Sequence, residues 1–246
     1  TPGRALGVVA GHFDERPGID LYVANDMTAN HLWSASSSPG DFKLDEIGIV
    51  RGVAFNAQSL SQASMGIAVG DADGDGDTDF FVTHFFDDHN TYYEQTSPGF
   101  WSDRSVVTGI AESSMKLLGF GAQFTDLDNN GAPELLVTNG HISDLGRPGV
   151  PNRMRPQVLQ RDARGRWNEL ASAEVGGYFE GEYLGRALLT LDADRDGLND
   201  SLITHLYDPI ALLMNRSTDA GASIRLELKG TRSTRDAIGA TISMNV

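Results

Sequence analysis

The sequence predicts an all-β protein built from repeated groups of short strands. Three observations carry this prediction. An acidic nine-residue loop occurs three times, an apolar run of β-type residues follows each copy, and the unit recurs about every 60 residues. Self-similarity at this period indicates a repeat architecture, and four short strands per unit are typical of propeller blades. The predicted fold class is therefore a β-propeller with four blades visible in this chain.

The strands of each unit are predicted from short apolar runs separated by turn residues. Enrichment in β-branched and aromatic residues over such runs favours strands. No long stretch has the 3.6-residue period of a helix, although 112–116 could form a short turn. In chain order the predicted strands are 6–9, 20–25, 31–33 and 42–44; 65–69, 79–84, 91–93 and 100–102; 118–122, 134–139, 158–160 and 166–170; and 184–187, 200–205 and 212–214.

Each acidic loop carries oxygen-bearing side chains at loop positions 1, 3, 5 and 9 and glycine at position 6. Alternate residues of a tight loop point inward, glycine permits the sharp turn, and a backbone carbonyl at position 7 can complete the shell. This is calcium-like spacing, so the sequence predicts three Ca²⁺ sites. The predicted ligands are Asp71, Asp73, Asp75, Asp77 and Asp79; Asp126, Asp128, Asn130, Ala132 and Glu134; and Asp192, Asp194, Asp196, Leu198 and Asp200.

Two of the four copies depart from this pattern. In the second acidic loop Asn130 and Glu134 change charge and reach, and whether calcium fills that loop completely stays open. In the copy nearest the start, Arg16 stands at position 5, where a ligand is needed, and no calcium is predicted there. Either Arg16 bridges Asp14 and Asp20 in place of the ion, or it is exposed and has no role.

The loop-and-strand pattern resembles the FG-GAP/VCBS repeat of integrin-α-like β-propellers, with 119–122 (Gly-Phe-Gly-Ala) as the nearest copy of its signature. The stretch 230–242, which includes Arg-Asp-Ala-Ile-Gly at 235–239, resembles the opening of an ASPIC/UnbV segment. That segment follows the propeller in secreted proteins similar to cartilage acidic protein and its bacterial relatives. The resemblance implies a secreted, calcium-stabilised propeller of a typically seven-bladed family. We therefore expect four blades of a seven-bladed ring; a closed ring of four is the alternative.

The same repeats give the predicted organisation of the chain. Segment 1–60 is a blade with a degenerate metal loop, 61–113 and 114–178 are blades with calcium loops, 179–216 is a partial blade with a calcium loop, and 217–246 starts the ASPIC/UnbV-like segment.

Composition limits the partners and the compartment. The net charge of −15 argues against nucleic acid, and 12 of the 34 acidic residues lie in the three loops. No apolar run approaches the roughly 18 residues of a membrane-spanning helix, so no membrane insertion is expected. Cysteine is absent, which excludes disulfides. Because extracellular modules bind calcium at millimolar supply, a secreted, periplasmic or cell-surface location is expected.

Every strong motif is structural, which favours a non-catalytic scaffold for adhesion or for binding a protein or glycan ligand. The remaining blades or another chain are expected as further partners. One alternative is a secreted or biosynthetic enzyme that uses the propeller channel near His84, His141 and His205. Against it, the sequence has no Gly-x-Ser-x-Gly, His-Glu-x-x-His or Cys nucleophile motif. The other alternative is a structural subunit of a surface assembly.

Three weaker features leave choices open. The polar residues that end the second strands, Asn25, His84, Asn139 and His205, either cap turns or form a ligand-facing ring. Aromatic residues on the outer strands, such as Trp101 and Trp167, are expected to pack between blades. The arginine-rich loop at 147–156 is a candidate anion or acidic-glycan contact.

Overall fold

The computed structural model describes residues 3–16, 18–35, 43–232, 235–237, 240 and 242, and this part of the chain is all-β. Its strands form four separate antiparallel sheets, each ordered as in the sequence. Sheet 1 contains β1 (Ala5–Gly11), β2 (Asp20–Asn25), β3 (His31–Ala35) and β4 (Leu44–Glu46); sheet 2 contains β5 (Ile67–Gly70), β6 (Asp79–Val82), β7 (Thr91–Ser97) and β8 (Phe100–Asp103). Sheet 3 contains β9 (Gly119–Thr125), β10 (Glu134–Asn139), β11 (Gln157–Arg161) and β12 (Trp167–Glu169); sheet 4 contains β13 (Gly185–Leu191), β14 (Asp200–His205) and β15 (Ala211–Leu213).

The predicted fold class is confirmed, because the four sheets are arranged as propeller blades. The first strands of successive sheets lie side by side, with β1 against β5, β5 against β9 and β9 against β13. Every predicted strand that the structure describes overlaps an observed strand, although the predicted run 42–44 does so only at Leu44. Phe42 of that run, and residues 233, 234, 238, 239 and 241 of the ASPIC/UnbV-like stretch, lie outside the described residues.

Among the described residues, helical structure is confined to short connections between blades. The helices are α1 (Gly48–Arg51), α2 (Ile110–Ser114), α3 (Ser172–Val175) and a 3₁₀ helix at Gly177–Glu180. The expected turn at 112–116 overlaps α2. No helix within the described ranges is both long and apolar enough to cross a membrane.

The hairpin register is the same in all four blades. The last residue of the first strand pairs with position 9 of the following loop, in the pairs Gly11–Asp20, Gly70–Asp79, Thr125–Glu134 and Leu191–Asp200. Each acidic loop therefore closes the hairpin between the first two strands of its blade, and all of the loops occupy equivalent places.

The core lies between blades, because each sheet buries apolar side chains against the neighbouring sheet, and sheets 2 and 3 do so on both faces. Between sheets 1 and 2, the Phe80 ring stacks on Tyr22 at 4.6 Å and meets Trp101 at 5.2 Å. Between sheets 2 and 3, the Trp167 ring meets the Tyr92 ring edge-on, with centroids 6.1 Å apart. These contacts confirm the prediction that outer-strand aromatic residues pack between blades. The cluster between sheets 3 and 4 is mainly aliphatic, with Leu136, Val158, Leu188 and Ile203 as its buried members.

Candidate metal centres

The carboxylate at position 1 of each acidic loop is held inward by the backbone of its own loop. Asp71 accepts hydrogen bonds from the amides of Gly74 and Gly76 at 2.8 and 3.0 Å. The equivalent Asp126 accepts from the amide of Gly131 at 2.8 Å, and Asp192 accepts from that of Gly197 at 3.3 Å. The three loops therefore share one conformation.

Glycine at position 6 has the left-handed backbone that the sequence predicts. The φ angles are 91° at Gly76, 88° at Gly131 and 89° at Gly197. Position 4 is left-handed as well, at Gly74, Asn129 and Arg195, with φ of 80°, 53° and 64°. The sequence analysis missed this second requirement, although Gly and Asn at two of the three positions were a signal for it.

Three groups of carboxylates converge in the described part of the chain, one in each acidic loop. Within each group one oxygen per residue lies within 4.8 Å of the others, and each group could hold a metal ion. In the second and third loops the group consists of positions 1, 3 and 9, and in the first loop it consists of positions 1, 3 and 5. The members are Asp126, Asp128 and Glu134; Asp192, Asp194 and Asp200; and Asp71, Asp73 and Asp75.

These groups fit a hard divalent cation. All of their donor atoms are carboxylate oxygens, which calcium prefers. The Oδ1 atom of Asp192 is buried and has no hydrogen-bond partner, as expected for an oxygen that is kept for an ion.

The remaining predicted ligands lie nearby without joining these groups. At position 7, the amides of Asp77, Ala132 and Leu198 donate to the position 5 side chains of their own loops, Asp75, Asn130 and Asp196, at 2.9, 2.7 and 3.0 Å. Asp79 lies apart from the other carboxylates of the first loop, because three protein donors already hold it.

Position 9 ties the loop to the third strand of the blade. Asp79 accepts hydrogen bonds from the amide of Ala72 at 3.1 Å, the amide of Gln95 at 2.9 Å and the hydroxyl of Tyr92 at 2.9 Å. Burial raises the pKa of Asp79 to about 6 and also raises the pKa of Glu134.

The same tie occurs in the other blades. Asp20 accepts from the amides of Phe13 and Ala35 at 2.8 and 3.2 Å, and Asp200 accepts from those of Ala193 and Asn215, both at 2.8 Å. Glu134 accepts from the amide of Leu127 and from the side chain of Gln160 at 3.0 and 3.1 Å. Because Asp20 belongs to the loop that has lost its metal pattern, this role of position 9 needs no ion.

The structure corrects the predicted bridge in the degenerate loop. Arg16 lies 3.3 Å from Asp14 and 3.6 Å from Asp45, but backbone amides satisfy Asp20 instead. Arg51, which the sequence analysis missed, adds a second guanidinium 3.8 Å from Asp14. Two guanidinium groups therefore lie beside Asp14 at position 3, one from the loop and one from α1, and Arg16 takes part in ion pairs.

Arginines also reach position 3 of two acidic loops. Arg161 in sheet 3 lies 3.6 Å from Asp73, and Arg216, just after β15, lies 3.0 Å from Asp194 and 3.3 Å from Asp196. The hydrogen bond from Arg216 lowers the pKa of Asp194. Among the ion pairs of the described residues none involves Asp128, so the second loop has no such competitor.

The polar residues that end the second strands bond to their own blades. Asn25 donates to the carbonyl of Ala29 at 2.8 Å, and Asn139 donates to that of Arg155 at 2.9 Å. His205 contacts the carbonyl of Pro209 at 2.7 Å. These contacts support turn capping over a ligand-facing ring.

The three histidines of the enzymatic alternative have different surroundings. His84 lies 3.1 Å from the hydroxyl of Thr91, and burial lowers its pKa to about 3. His141 meets the ring of Phe85 edge-on at 5.3 Å, and His205 contacts the hydroxyl of Tyr178 at 2.7 Å. The described residues show no hydrogen bond or ion pair between these histidines and a carboxylate.

The arginine-rich loop is largely neutralised. Arg153 pairs with Asp208, and Arg155 pairs with Glu169. Of the three arginines in the candidate anion contact, only Arg147 makes no ion pair in the described part of the chain, so the contact gains no support.

Part of the chain matches a known protein family. Residues 71–137 match the family model described as an FG-GAP-like repeat. The matched range contains the first two acidic loops and strands β6 to β9, and it ends within β10. No curated protein matches the chain. The match does not extend to 217–246, where the ASPIC/UnbV resemblance stays a prediction. Four antiparallel blades with equivalent acidic hairpins, together with this match, show a β-propeller that contains an FG-GAP-like repeat over residues 71–137.

Proposed function

We propose that this β-propeller is a calcium-stabilised extracellular scaffold for adhesion or for binding a protein or glycan ligand. The observation that carries the proposal is the convergence of three carboxylates at the same hairpin in three blades. A site that recurs at the same hairpin favours a structural role, because each ion would fix the loop that joins the first two strands of a blade.

Electrostatics supports an ion at these hairpins. Two carboxylates about 5 Å apart repel by about 3 kcal/mol at an effective dielectric of about 20. Oxygen-only donors favour calcium or magnesium over softer metals, and the nine-residue spacing favours the larger and more flexible shell of calcium. A bound ion would convert this repulsion into a cross-link within the hairpin.

Calcium binding at these sites would favour a location outside the cytoplasm. Extracellular modules bind calcium with Kd of about 10⁻⁴ to 10⁻³ M, which matches the supply outside cells. A secreted, periplasmic or cell-surface protein would therefore have its sites filled. Adhesion or ligand binding fits a rigid scaffold whose connecting loops are free to vary, and further blades or another chain would cover the outer faces of sheets 1 and 4.

The test is calcium titration of the calcium-free chain by calorimetry, together with thermal melting. We expect three sites and a melting temperature that falls on addition of EDTA. At ten times Kd each site contributes about 1.4 kcal/mol, so three sites contribute about 4 kcal/mol. Asp126→Asn should remove one site, whereas Asp14→Asn, at the degenerate loop, should leave three. A melting temperature that is the same in calcium and in EDTA would refute calcium stabilisation.

A further inference from the structure

Sheet 4 lacks a side chain that completes the two earlier blade interfaces. In sheets 2 and 3 the fourth strand supplies a buried tryptophan, Trp101 on β8 and Trp167 on β12. Each packs into the aromatic cluster facing the preceding blade. Sheet 4 ends at β15 in the described part of the chain, so nothing equivalent fills the interface between sheets 3 and 4.

Smaller side chains on β14 and β13 leave further space in the interface between sheets 3 and 4. The residue that follows position 9 faces the preceding blade, and it is Phe80 in sheet 2 and Leu135 in sheet 3 but Ser201 in sheet 4. Its partner across the hairpin changes in the same direction, from Phe124 opposite Leu135 to Thr190 opposite Ser201. Small polar side chains thus stand where large apolar ones fill the other interfaces.

The result is a cavity of about 570 Å³ between sheets 3 and 4, which we call the socket. Its apolar wall includes Leu136, Val158, Phe179 and Leu213. Ser201 lies in its lining, and the carboxylates of Asp128 and Glu134 from the second acidic loop border it. Its size is within the range of pockets that bury a ligand, and its wall is a continuation of the interface between the two blades.

We propose that the socket receives an aromatic side chain carried by an extended strand of a partner polypeptide, which pairs with the free edge of β15 as a fourth strand. The same arrangement occurs twice within the chain. Trp101 and Trp167 both lie on fourth strands that pair with the third strand of their blade. Addition of a strand to an open edge is a common mode of peptide recognition, with backbone bonds giving affinity and side-chain pockets giving specificity.

The socket also offers the hydrogen-bond acceptor that an indole needs. Trp101 donates its Nε1–H to the carbonyl of Thr78 at 2.7 Å, and Thr78 is position 8 of its own loop. Position 8 in sheet 4 is Asn199, which lies in the socket lining; its carbonyl accepts from the Asn215 side-chain amide at 3.2 Å, and its second lone pair could accept from an indole. A tryptophan would match the Trp101 arrangement of sheet 2, whereas the Nε1 atom of Trp167 in sheet 3 is buried without a hydrogen-bond partner.

The segment that follows β15 lines one side of the socket with residues 214–218 and then leaves it without filling it. Asn215 donates to the carbonyl of Leu127 at 2.7 Å, and the amide of Gly221 donates to the carbonyl of Asp128 at 2.8 Å, so the chain crosses the acidic loops. The sequence from 217 to 246 contains no aromatic residue. The aromatic side chain must therefore come from another segment, and we assign it to a partner.

The probe is a capped peptide with the sequence of residues 98–104, Pro-Gly-Phe-Trp-Ser-Asp-Arg, added to the full chain at fixed calcium. Saturable one-to-one binding is expected by calorimetry, at least about tenfold tighter than for the same peptide with Trp101→Ala, since a buried aromatic is worth more than 1.4 kcal/mol. Equal affinity of the two peptides would overturn the proposal.

Variants of the chain locate the binding site. Ser201→Phe, which installs the residue of sheet 2, should fill the socket and weaken peptide binding at least about tenfold. Ser201→Leu, the residue of sheet 3, replaces it if the larger side chain lowers the melting temperature. Leu189→Ser, on the opposite face of the same blade where Leu189 is 54% exposed, should leave the affinity unchanged. Undiminished binding to a folded Ser201 variant would contradict the socket.

Hydrogen exchange tests the strand. Those amides of residues 211–214 that do not bond to β14 should exchange more slowly once the peptide is bound, and free indole should bind far more weakly than the peptide. Protection of these outward-facing amides before the peptide is added would mean that the edge is already paired. Indole binding as tightly as the peptide would indicate a small-molecule site. Either result would overturn the proposal.

Discussion

At the scale of single residues, Arg195 is the least suitable residue at the fourth position of an acidic loop. Its φ of 64° is a conformation that L-residues other than Asn and Asp rarely adopt, and the equivalent residues are Gly74 and Asn129. Left-handed backbone costs a substituted residue about 1–2 kcal/mol, and the greater freedom of glycine in the unfolded chain offsets part of this. Arg195→Gly should therefore raise the free energy of unfolding by about 0.5–1 kcal/mol, measured by denaturant titration. Gly74→Arg is the matched reverse change and should lower it by a similar amount.

Arg216 occupies the carboxylates that calcium would use in the third loop. Since its guanidinium lies 3.0 Å from Asp194 and 3.3 Å from Asp196, an incoming ion has to displace it. Arg216→Gln should tighten calcium binding at this loop several-fold in calorimetric titration. Arg164→Gln, in the hairpin between β11 and β12, removes the same charge without touching a loop carboxylate and serves as the control. An affinity that falls in Arg216→Gln would show that Arg216 supports the site rather than competing with the ion.

Buried His84 makes stability depend on pH. Burial lowers its folded-state pKa to about 3, below the unfolded value of about 6.5. As the pH falls below about 6.5, the unfolded chain takes up a proton that the folded chain does not, so stability falls by up to about 2 kcal/mol between pH 7 and pH 5. His84→Asn installs the residue found at the equivalent positions 25 and 139 and should remove this component. Denaturant unfolding of both proteins at the two pH values measures it, and equal pH sensitivity of the two would show that His84 is protonated when folded.

Single-residue predictions from the sequence were accurate where the cause was local. The left-handed glycines at position 6 follow from spacing within nine residues, and the structure has them; of the predicted ligands, positions 1 and 3 converge in all three loops, position 9 in two and position 5 in one. Arg161 and Arg216 could not be predicted in this way, because they reach Asp73 and Asp194 from other strands or segments. The predicted bridge from Arg16 to Asp20 was wrong for a related reason: the backbone amides that satisfy Asp20 depend on the fold of the whole hairpin.

At the scale of the element, the carboxylate at position 9 stabilises each hairpin independently of the ion. Asp20→Ala should cost about 1–3 kcal/mol for each buried amide left without a partner, by the same amount in calcium and in EDTA. Asp200→Ala should show an additional loss in calcium, since Asp200 also belongs to a carboxylate group. Unfolding free energies of both variants in the two conditions separate the effects. A calcium-dependent loss in Asp20→Ala would mean that the first loop binds an ion after all.

Strands were the easiest elements to predict, because the repeat presents each of them several times. A run of three residues such as 91–93 is ambiguous alone, but its equivalents after each loop remove the ambiguity. The helices α1 and α3 were missed since they are four residues long, too short for a period to appear. Tertiary packing rather than propensity holds elements of this size.

At the scale of the whole molecule, the sequence predicted the repeat but not how each interface is filled. Which side chains meet between blades depends on register and on the neighbour's composition, so the change from aromatic clusters to an aliphatic one between sheets 3 and 4 was visible only in the structure. The socket results from this change, since Ser201 and Thr190 are unremarkable when read within their own strands.

Uneven packing predicts an order of local opening. The cluster between sheets 1 and 2 contains five aromatic residues, whereas the one between sheets 3 and 4 has aliphatic buried members and adjoins the cavity. Sheet 4 also leaves Leu189 and Leu212 about half exposed on its outer face. Local opening costs less where fewer apolar contacts are lost, so amides of β13–β15 should exchange at a lower free energy than those of β5–β8.

Two truncations make this order measurable by native-state hydrogen exchange. Phe80→Ala should cost about 3–5 kcal/mol and lower protection throughout sheets 1 and 2. Ile203→Ala should speed exchange in β13–β15 while leaving sheets 1 and 2 protected, because its contacts lie only in the cluster between sheets 3 and 4. If Ile203→Ala lowered protection equally in every blade, the four blades would unfold as one cooperative unit. The open interface would then be as stable as the aromatic ones, despite its cavity.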